Sequence, residues 1–368
     1  MIIRKLETFI VEIPFSDGGK GQGITPTTWN TLENVLVRVE DDQGNVGWGE
    51  SFGYFTADAT KATIDRLIAP VLVGSTVQDI PAWNLKTQRQ LHLFGRYGIT
   101  MFAISGVDIA LWDLAARRRG VPLHHLFSEQ RRSHVQAYAS LVRYADGEVA
   151  PRICEQALAM GFRDIKLHEV TVEEIAQCRA AVGYDVPLAT DVNCGWSLAD
   201  TRAWLPELEA LQLAWLEEPI FPPEDFATLN SLRGQGVPLS GGENWCTAFQ
   251  FEQAMKAGAV DSIQPSVTKV GGISECLRIA ELARHHGVPV LPHSPYFGPG
   301  FLATLHLAAA QEHVAQIEYL FVEPQAWLYD IEGLRQGHQF EIPQGLGLGQ
   351  QIDTRVFDRY QRAPRSRP

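Results

Sequence analysis

Three stretches, Leu188-Ala-Thr-Asp191, Ala214-Trp-Leu-Glu217 and Leu239-Ser-Gly-Gly-Glu243, each end a short apolar run on a carboxylate, and both steps between the acids are 26 residues. That is about the length of one strand plus one helix. Followed outward, the pattern puts strand ends near Ala139, His168, Asp191, Glu217, Glu243, Ser266, His293 and Glu318, with gaps of 29, 23, 26, 26, 23, 27 and 25. Eight such units close a barrel of parallel strands, so the expected fold class is α/β, a TIM-type (β/α)8 barrel. An open doubly wound sheet would need a Gly-rich first turn, which neither Gly47-x-Gly49 nor Gly271-Gly272 fits.

The residues before the barrel follow another pattern. Residues 2 to 13 and 33 to 49 read as strands, with a tight hairpin turn at Asp42-Gln43-Gly44-Asn45. Between them Ser16 to Thr28, rich in Gly and Thr, reads as a mobile loop. Helices are expected over 57 to 69, 79 to 94 and 99 to 119, which makes an α+β N-terminal capping domain. The turn-rich tail from Phe340 cannot form another unit and is expected to pack back on that domain. The division is therefore a cap of residues 1–125, completed by 325–368, and a barrel of residues 126–324.

Bulk properties narrow the function. A net charge of −12 in 368 residues disfavours nucleic acid and anionic membranes, which require a basic patch to displace counterions. Five cysteines (Cys154, Cys178, Cys194, Cys246, Cys276) without C-x-x-C spacing favour reduced thiols over a disulfide framework or a zinc site. Neither a signal-peptide pattern nor an uninterrupted apolar run of about 18 residues stands out, so a soluble, cytoplasmic protein is expected. The clusters Arg117 to Arg119 and Arg131 to Arg132 read as solvated surface.

In a barrel, groups about 25 residues apart in sequence become neighbours at the carboxyl ends of the strands. Asp191, Glu217 and Glu243 would repel one another there unless a cation joined them, and an all-oxygen donor set suits Mg²⁺, with Mn²⁺ as the substitute. Glu217 and Glu218 alternate along a strand, so only Glu217 is expected at the site. Asn193, two residues past Asp191, is expected on the same face as a substrate contact. Lys166 and His168 share an inward face by the same alternation. Burial should pull the Lys166 pKa down towards the working range, making it a base or an electrostatic clamp. His293 falls on the other side of the metal strands, which permits a two-base site, and Glu318, if protonated, would donate to a substrate carboxylate.

With these residues in place, the chain resembles the enolase superfamily, and within it the mandelate racemase-like group, over essentially its full length. The matching pieces are Gly47-Trp-Gly-Glu50, Ser105-Gly-x-Asp-x-Ala-Leu-Trp-Asp113, Lys166-x-His168, Asp191-x-Asn193, Trp215-Leu-Glu-Glu-Pro219, Gly242-Glu-Asn244, Lys269-x-Gly-Gly272, His293, Glu318 and the Gly-rich tail. The resemblance implies one Mg²⁺ on Asp191, Glu217 and Glu243, Lys166 and His293 as acid/base groups, and Glu318 as donor to the substrate carboxylate. It also implies that the loops Ser16 to Thr28 and Ser51 to Thr56 close over the barrel and choose the substrate. Trp29, Phe52, Tyr54, Ser266 and Lys269 join Asn193 as substrate-binding candidates. Two departures stand out. His168 replaces the second lysine of the usual Lys-x-Lys pair, and Ser266 replaces the aspartate that partners the histidine, leaving His293 a weaker base.

The expected activity is abstraction of the α-proton of a small carboxylate substrate, followed by dehydration of a hydroxy acid or acid sugar, or by lactone cycloisomerisation. Racemisation or epimerisation is the alternative, and a non-catalytic sugar-acid binder the second. A metallohydrolase would need a His-x-His pair at the first strand, where Gln136-Ala-Tyr138 offers none. Relatives imply a homo-oligomer.

Overall fold

The computed structural model describes residues 1–20, 29–129 and 131–363. Ser16 ends the first strand, and residues 21 to 28 of the expected loop lie outside the described residues. Three long strands, β1 (Ile3–Ser16), β2 (Thr31–Asp41) and β3 (Val46–Ser51), form an antiparallel sheet. Asp41 closes the hairpin, its Oδ1 accepting from the backbone N–H of Gln43 and of Asn45, both at 2.9 Å. The first helical segment is not uniform: α1 (Ala57–Thr63) passes through a π-helical turn at Ile64–Ile68 into α2 (Ala69–Leu72). Next come α3 (Ile80–Gln90), capped by Asp79, and α4 (Ile99–Arg119). Helix α4 is apolar and long enough to cross a membrane, yet 78% of its apolar window is buried within the protein. It lies so close on β3 that a Cβ on Gly49 would sit 2.0 Å from the Gly106 carbonyl oxygen.

The barrel strands are short because parallel strands covered on both sides need only span the core. In order the chain runs β4 (His134–Ser140), α5 (Val149–Ala159), β5 (Ile165–Leu167), α6 (Val172–Val182), β6 (Leu188–Asp191), α7 (Leu198–Ala210), β7 (Leu216–Glu217) and α8 (Phe226–Leu232). It continues through β8 (Leu239–Gly241), α9 (Thr247–Ala257), β9 (Ser262–Ile263), α10 (Gly272–His286), α11 (Pro299–Ala309) and β10 (Gln316–Leu320). Each strand from β4 to β9 pairs in parallel with the next, and β10 pairs with β4 to close the ring.

Two expectations change here. The seventh strand is reduced to bridges from Val290 to Ile263 and Val314, because Pro289 and Pro292 on either side have no N–H to donate. No helix follows β10 in the ring of described residues. The chain instead returns to the cap through β11 (Glu323–Pro324), which pairs with β1.

The tail divides between the two layers. The hairpin of β12 (Arg335–Gln336) and β13 (Gln339–Glu341) joins the barrel, β13 running antiparallel to β4. Beyond it the tail reaches the cap, where Leu348 N–H donates to Asp113 Oδ1 at 2.7 Å. Helix α12 (Thr354–Tyr360) follows, and Arg362 binds Glu12, Glu33 and Asp58 of the cap. The arginines read as solvated surface are largely structural. Arg117 and Arg118 neutralise the buried Asp113 and Asp41 at 2.9 and 2.5 Å, and Arg132 donates to the carbonyls of Gln311 and Val314.

Candidate active site

Alternation along β5 turns Ile165 and Leu167 towards the helices and Lys166 into the barrel, where it has no solvent exposure. A plug of Tyr138, Ala189, Trp215 and Leu291 fills the interior. Asp191, Glu217 and Glu243 converge at the strand ends, one oxygen from each lying within 4.8 Å of the others. Lys166 Nζ sits against three acids, 3.1 Å from Glu217, 3.5 Å from Asp191 and 2.9 Å from Glu318. Burial pulls the lysine down, but Glu217, Glu318 and Asp191 outweigh it and push Lys166 well above its ordinary value. The expected lowering is thus reversed, because a desolvated cation among three anions is held charged. Glu318 departs from expectation for the same reason. Burial alone would raise it, yet Lys166 and His293 hold it below the usual carboxylate range, so it is an ionised acceptor, taking Ser294 N–H at 3.1 Å.

Glu217 is pushed well above its ordinary value, by burial first and then by Asp191. Two neutral donors orient it: Gln264 Nε2 at 2.6 Å and Trp215 Nε1 at 3.2 Å. Gln264 escaped sequence analysis because an amide at a strand end carries no charge signal. Glu218 also belongs to the site's surroundings. The strand ends at Glu217, Glu218 takes a φ of +44°, and strict alternation therefore stops applying. Its buried carboxyl accepts from Asn244 Nδ2 at 2.8 Å, and burial, Glu243 and Asp191 raise its pKa to about 8. Asn193 likewise lies past the end of its strand, at φ +45°, where its backbone N–H donates to Asp191 Oδ1 at 2.8 Å. Its placement beside Asp191 thus comes from a turn rather than from a shared strand face.

His168 Nδ1 donates to the Leu141 carbonyl, which leaves Nε2 3.4 Å from Asp191 Oδ2. Across the cluster, His293 Nε2 is 2.8 Å from Glu243 Oε2 and 4.0 Å from Glu318. Its other nitrogen is not left free by Ser266, because Tyr296 Oη lies 3.2 Å from Nδ1 and also bonds the Ser266 hydroxyl. Ser266 therefore meets the imidazole through Tyr296. Lys269 Nζ donates to Asn244 Oδ1 at 3.1 Å and lies 3.7 Å from Glu243. Burial would raise Glu243, but Lys269 and His293 take it well below its ordinary value.

The cap supplies an aromatic wall. The Phe52 ring lies under Lys269 Nζ at 5.0 Å and packs at a tilt of 53° on Tyr54, whose hydroxyl donates to the Pro295 carbonyl, two residues from His293. Trp29 is buried behind them, packed on Tyr54 and Phe15. Cap and barrel are also clamped at Glu50, which accepts Gly300 N–H at 2.8 Å, and at Asp108, which accepts Ser274 N–H at 3.0 Å.

Residues 10–128 match the mandelate racemase / muconate lactonizing enzyme N-terminal domain family, and residues 150–356 match the enolase C-terminal domain-like family. The chain belongs to the mandelate racemase-like group of the enolase superfamily. It is 30% identical over 346 residues to an arabinonate dehydratase of Saccharolobus solfataricus, covering 89% of this chain and 91% of that one. To a D-galactarolactone cycloisomerase of Agrobacterium fabrum it is 33% identical over 286 residues, 75% of each chain. A solved racemase of Streptomyces coelicolor with bound magnesium superposes with a TM-score of 0.85 at 26% identity, over 98% of this chain and 100% of that one.

The residues of this superfamily member fit a divalent cation. Three carboxylates supply only hard oxygen donors, and Asp191 Oδ2 is buried without a hydrogen-bond donor of its own. Even with Lys166 and Lys269 beside these acids, Glu217 is pushed well above its ordinary value, so the cluster is short of positive charge.

Proposed function

We propose that this protein dehydrates an acid sugar, or opens its lactone by cycloisomerisation, through abstraction of the proton α to a carboxylate. The observation that carries the reading is the placement of Lys166 and His293 on opposite sides of the convergent Asp191, Glu217 and Glu243. These three acids hold one Mg²⁺, for which Mn²⁺ substitutes. When bound, the ion supplies a Lewis acid for the substrate carboxylate and takes up the negative charge that develops there.

The chain's own groups do the rest. Lys166 lies deep in the barrel among the acids that hold it charged. Once Asp191, Glu217 and Glu243 share a cation that hold is removed, so that the ammonium gives its proton to solvent and the neutral amine takes the α-proton, the electrons of the C–H bond moving into the carboxylate. Lys269, beside Glu243, adds positive charge at the mouth. On the opposite face His293 delivers a proton to the departing β-oxygen, which leaves as water, or, from a lactone, as the carboxyl group to which the ring oxygen belongs. Glu318, fixed by Lys166 and the Ser294 N–H, orients the ammonium between turnovers. The wall of Phe52 and Tyr54 keeps water from the enediolate and offers aromatic surface to the C–H face of a sugar.

Racemisation is the second reading, favoured by the same opposition of Lys166 and His293. The test is incubation with a panel of sugar acids and lactones in D₂O with Mg²⁺. Deuterium should enter at the α-carbon, and keto-acid product should form. Both should vanish in Lys166→Ala and on chelation. Exchange that persists in Glu217→Gln would overturn the metal assignment, and α-epimer without loss of water would replace dehydration by racemisation.

A further inference from the structure

The loop that carries His293 contains a hydroxyl group that no acid-sugar chemistry calls for. The segment His293-Ser-Pro-Tyr296 folds back, with Tyr296 N–H donating to the Ser294 carbonyl at 2.8 Å, so that the phenol stands beneath the imidazole. The two rings are 6.0 Å apart at 79°, and Tyr296 Oη is 3.2 Å from His293 Nδ1. The same oxygen bonds Ser266 Oγ, three residues past the end of β9. His293, Tyr296 and Ser266 are all buried. The ring is closely packed beside Gly300, where an added Cβ would come within 3.1 Å of Tyr296 Cδ2. The Tyr54 hydroxyl pins the preceding Pro295 carbonyl.

We infer that Tyr296, anchored by Ser266, is the positioning residue for His293 in the proposed reaction, holding the imidazole at Nδ1. This rests on the reading of His293 as the proton donor of one face. An imidazole that transfers a proton through Nε2 needs its Nδ1 tied, or the ring turns about its χ2 bond and Nε2 leaves the reacting oxygen. A phenol does this for either tautomer, since its oxygen accepts from Nδ1–H and its proton can be given to an unprotonated Nδ1. Burial, first of all, keeps the Tyr296 phenol far above its ordinary pKa, so it stays neutral and serves as a hinge pin rather than a counter-ion. Ser266, short and able to donate and accept, satisfies the phenol in both arrangements.

The experiment compares wild type with Tyr296→Phe, which keeps the ring and deletes only the hydroxyl. In protein labelled with ¹⁵N-histidine, with and without Mg²⁺, the His293 imidazole resonances are identified by their loss in His293→Asn. Tyr296→Phe should shift the His293 Nδ1 resonance and leave those of the other histidines in place. With the acid sugar that turns over fastest, kcat should fall about 10- to 100-fold at unchanged KM, while α-hydrogen exchange with D₂O, the work of Lys166, is retained. An unmoved Nδ1 resonance overturns the inference, and so does a moved resonance with turnover intact or with exchange lost in step with turnover. If no acid sugar turns over in wild type, the proposed function fails, and the resonance alone then decides whether Tyr296 holds His293. Should Tyr296→Phe not fold, Ser266→Ala removes the anchor instead. Broadening of the His293 signal supports the inference, and an unchanged signal refutes it.

Discussion

Replacing Gln264 by Leu removes a neutral donor from Glu217, the middle one of the three convergent acids, without changing the charge of the site. Gln264 is fully buried and gives Glu217 Oε2 its shortest hydrogen bond, 2.6 Å, while Trp215 and Lys166 each donate to the same oxygen at 3.2 Å. A hydrogen bond to an ionised group contributes about 1.5–3 kcal/mol net. Two effects compete. Relieved of the donor, Glu217 becomes a more basic ligand, which favours the cation. It also becomes easier to protonate, and burial with Asp191 beside it already pushes it well above the usual carboxylate range.

A cation must displace that proton, and each unit of additional pKa costs binding about 1.4 kcal/mol as long as the solution is below the pKa. The proton term therefore wins, together with the loss of a fixed orientation. Affinity for Mg²⁺ should fall about 10- to 100-fold, as for other groups that orient metal ligands. Because the loss runs through protonation, it should be largest in mildly acidic buffer and shrink as the pH rises. Ser240, deprived of its amide partner, keeps Ser262 Oγ at 3.0 Å, so the barrel should melt nearly as before. Calorimetric titration of metal-stripped protein with Mg²⁺ at several pH values is the assay. An unaltered dissociation constant in a folded variant, or a loss independent of pH, would refute the reasoning.

Two further outcomes concern stability. The buried His124 and His306 face each other Nδ1 to Nδ1 at 2.8 Å, an arrangement that admits one proton between them. Burial pushes His124 down to about 4 and His306 to about 3, so unfolded chains bind protons from about pH 6.5 downward while the native pair does not. Stability should be complete above that range and drain away as the pH falls towards 3, by a few kcal/mol. The double substitution His124→Phe, His306→Leu should flatten this slope in urea unfolding, and an unchanged slope would show that other groups set it. Gly49→Ala should drive a Cβ into the Gly106 carbonyl and separate β3 from α4, costing about 3 kcal/mol or more and lowering the melting temperature before any effect on metal binding. A melting temperature like that of wild type would contradict the close approach.

The strand-end spacing made the barrel legible because one strand and one helix consume a nearly constant length of chain, and Asp191, Glu217 and Glu243 were legible because three acids on that period have few other uses. Lys166 was found by alternation within a strand, and its inward orientation is as expected. Alternation misled where strands stop: Asn193 and Glu218 sit at positive φ, two residues and one residue beyond the paired Asp191 and Glu217. The seventh strand, flanked by prolines, had the right position without the regular pairing.

Sequence by itself thus determined the barrel, the convergence of its three acids and the lysine and histidine that flank them, since all of these follow from period and from charge. Only the tertiary structure decided the protonation of Lys166 and Glu318, because a pKa depends on which charges share a desolvated space. The same holds for Gln264 and Tyr296, neutral side chains whose importance lies in a single contact, with Glu217 and with His293, made across the barrel end or back along a loop. Such contacts leave no periodicity to read, and they exist only once the ring of strands has closed.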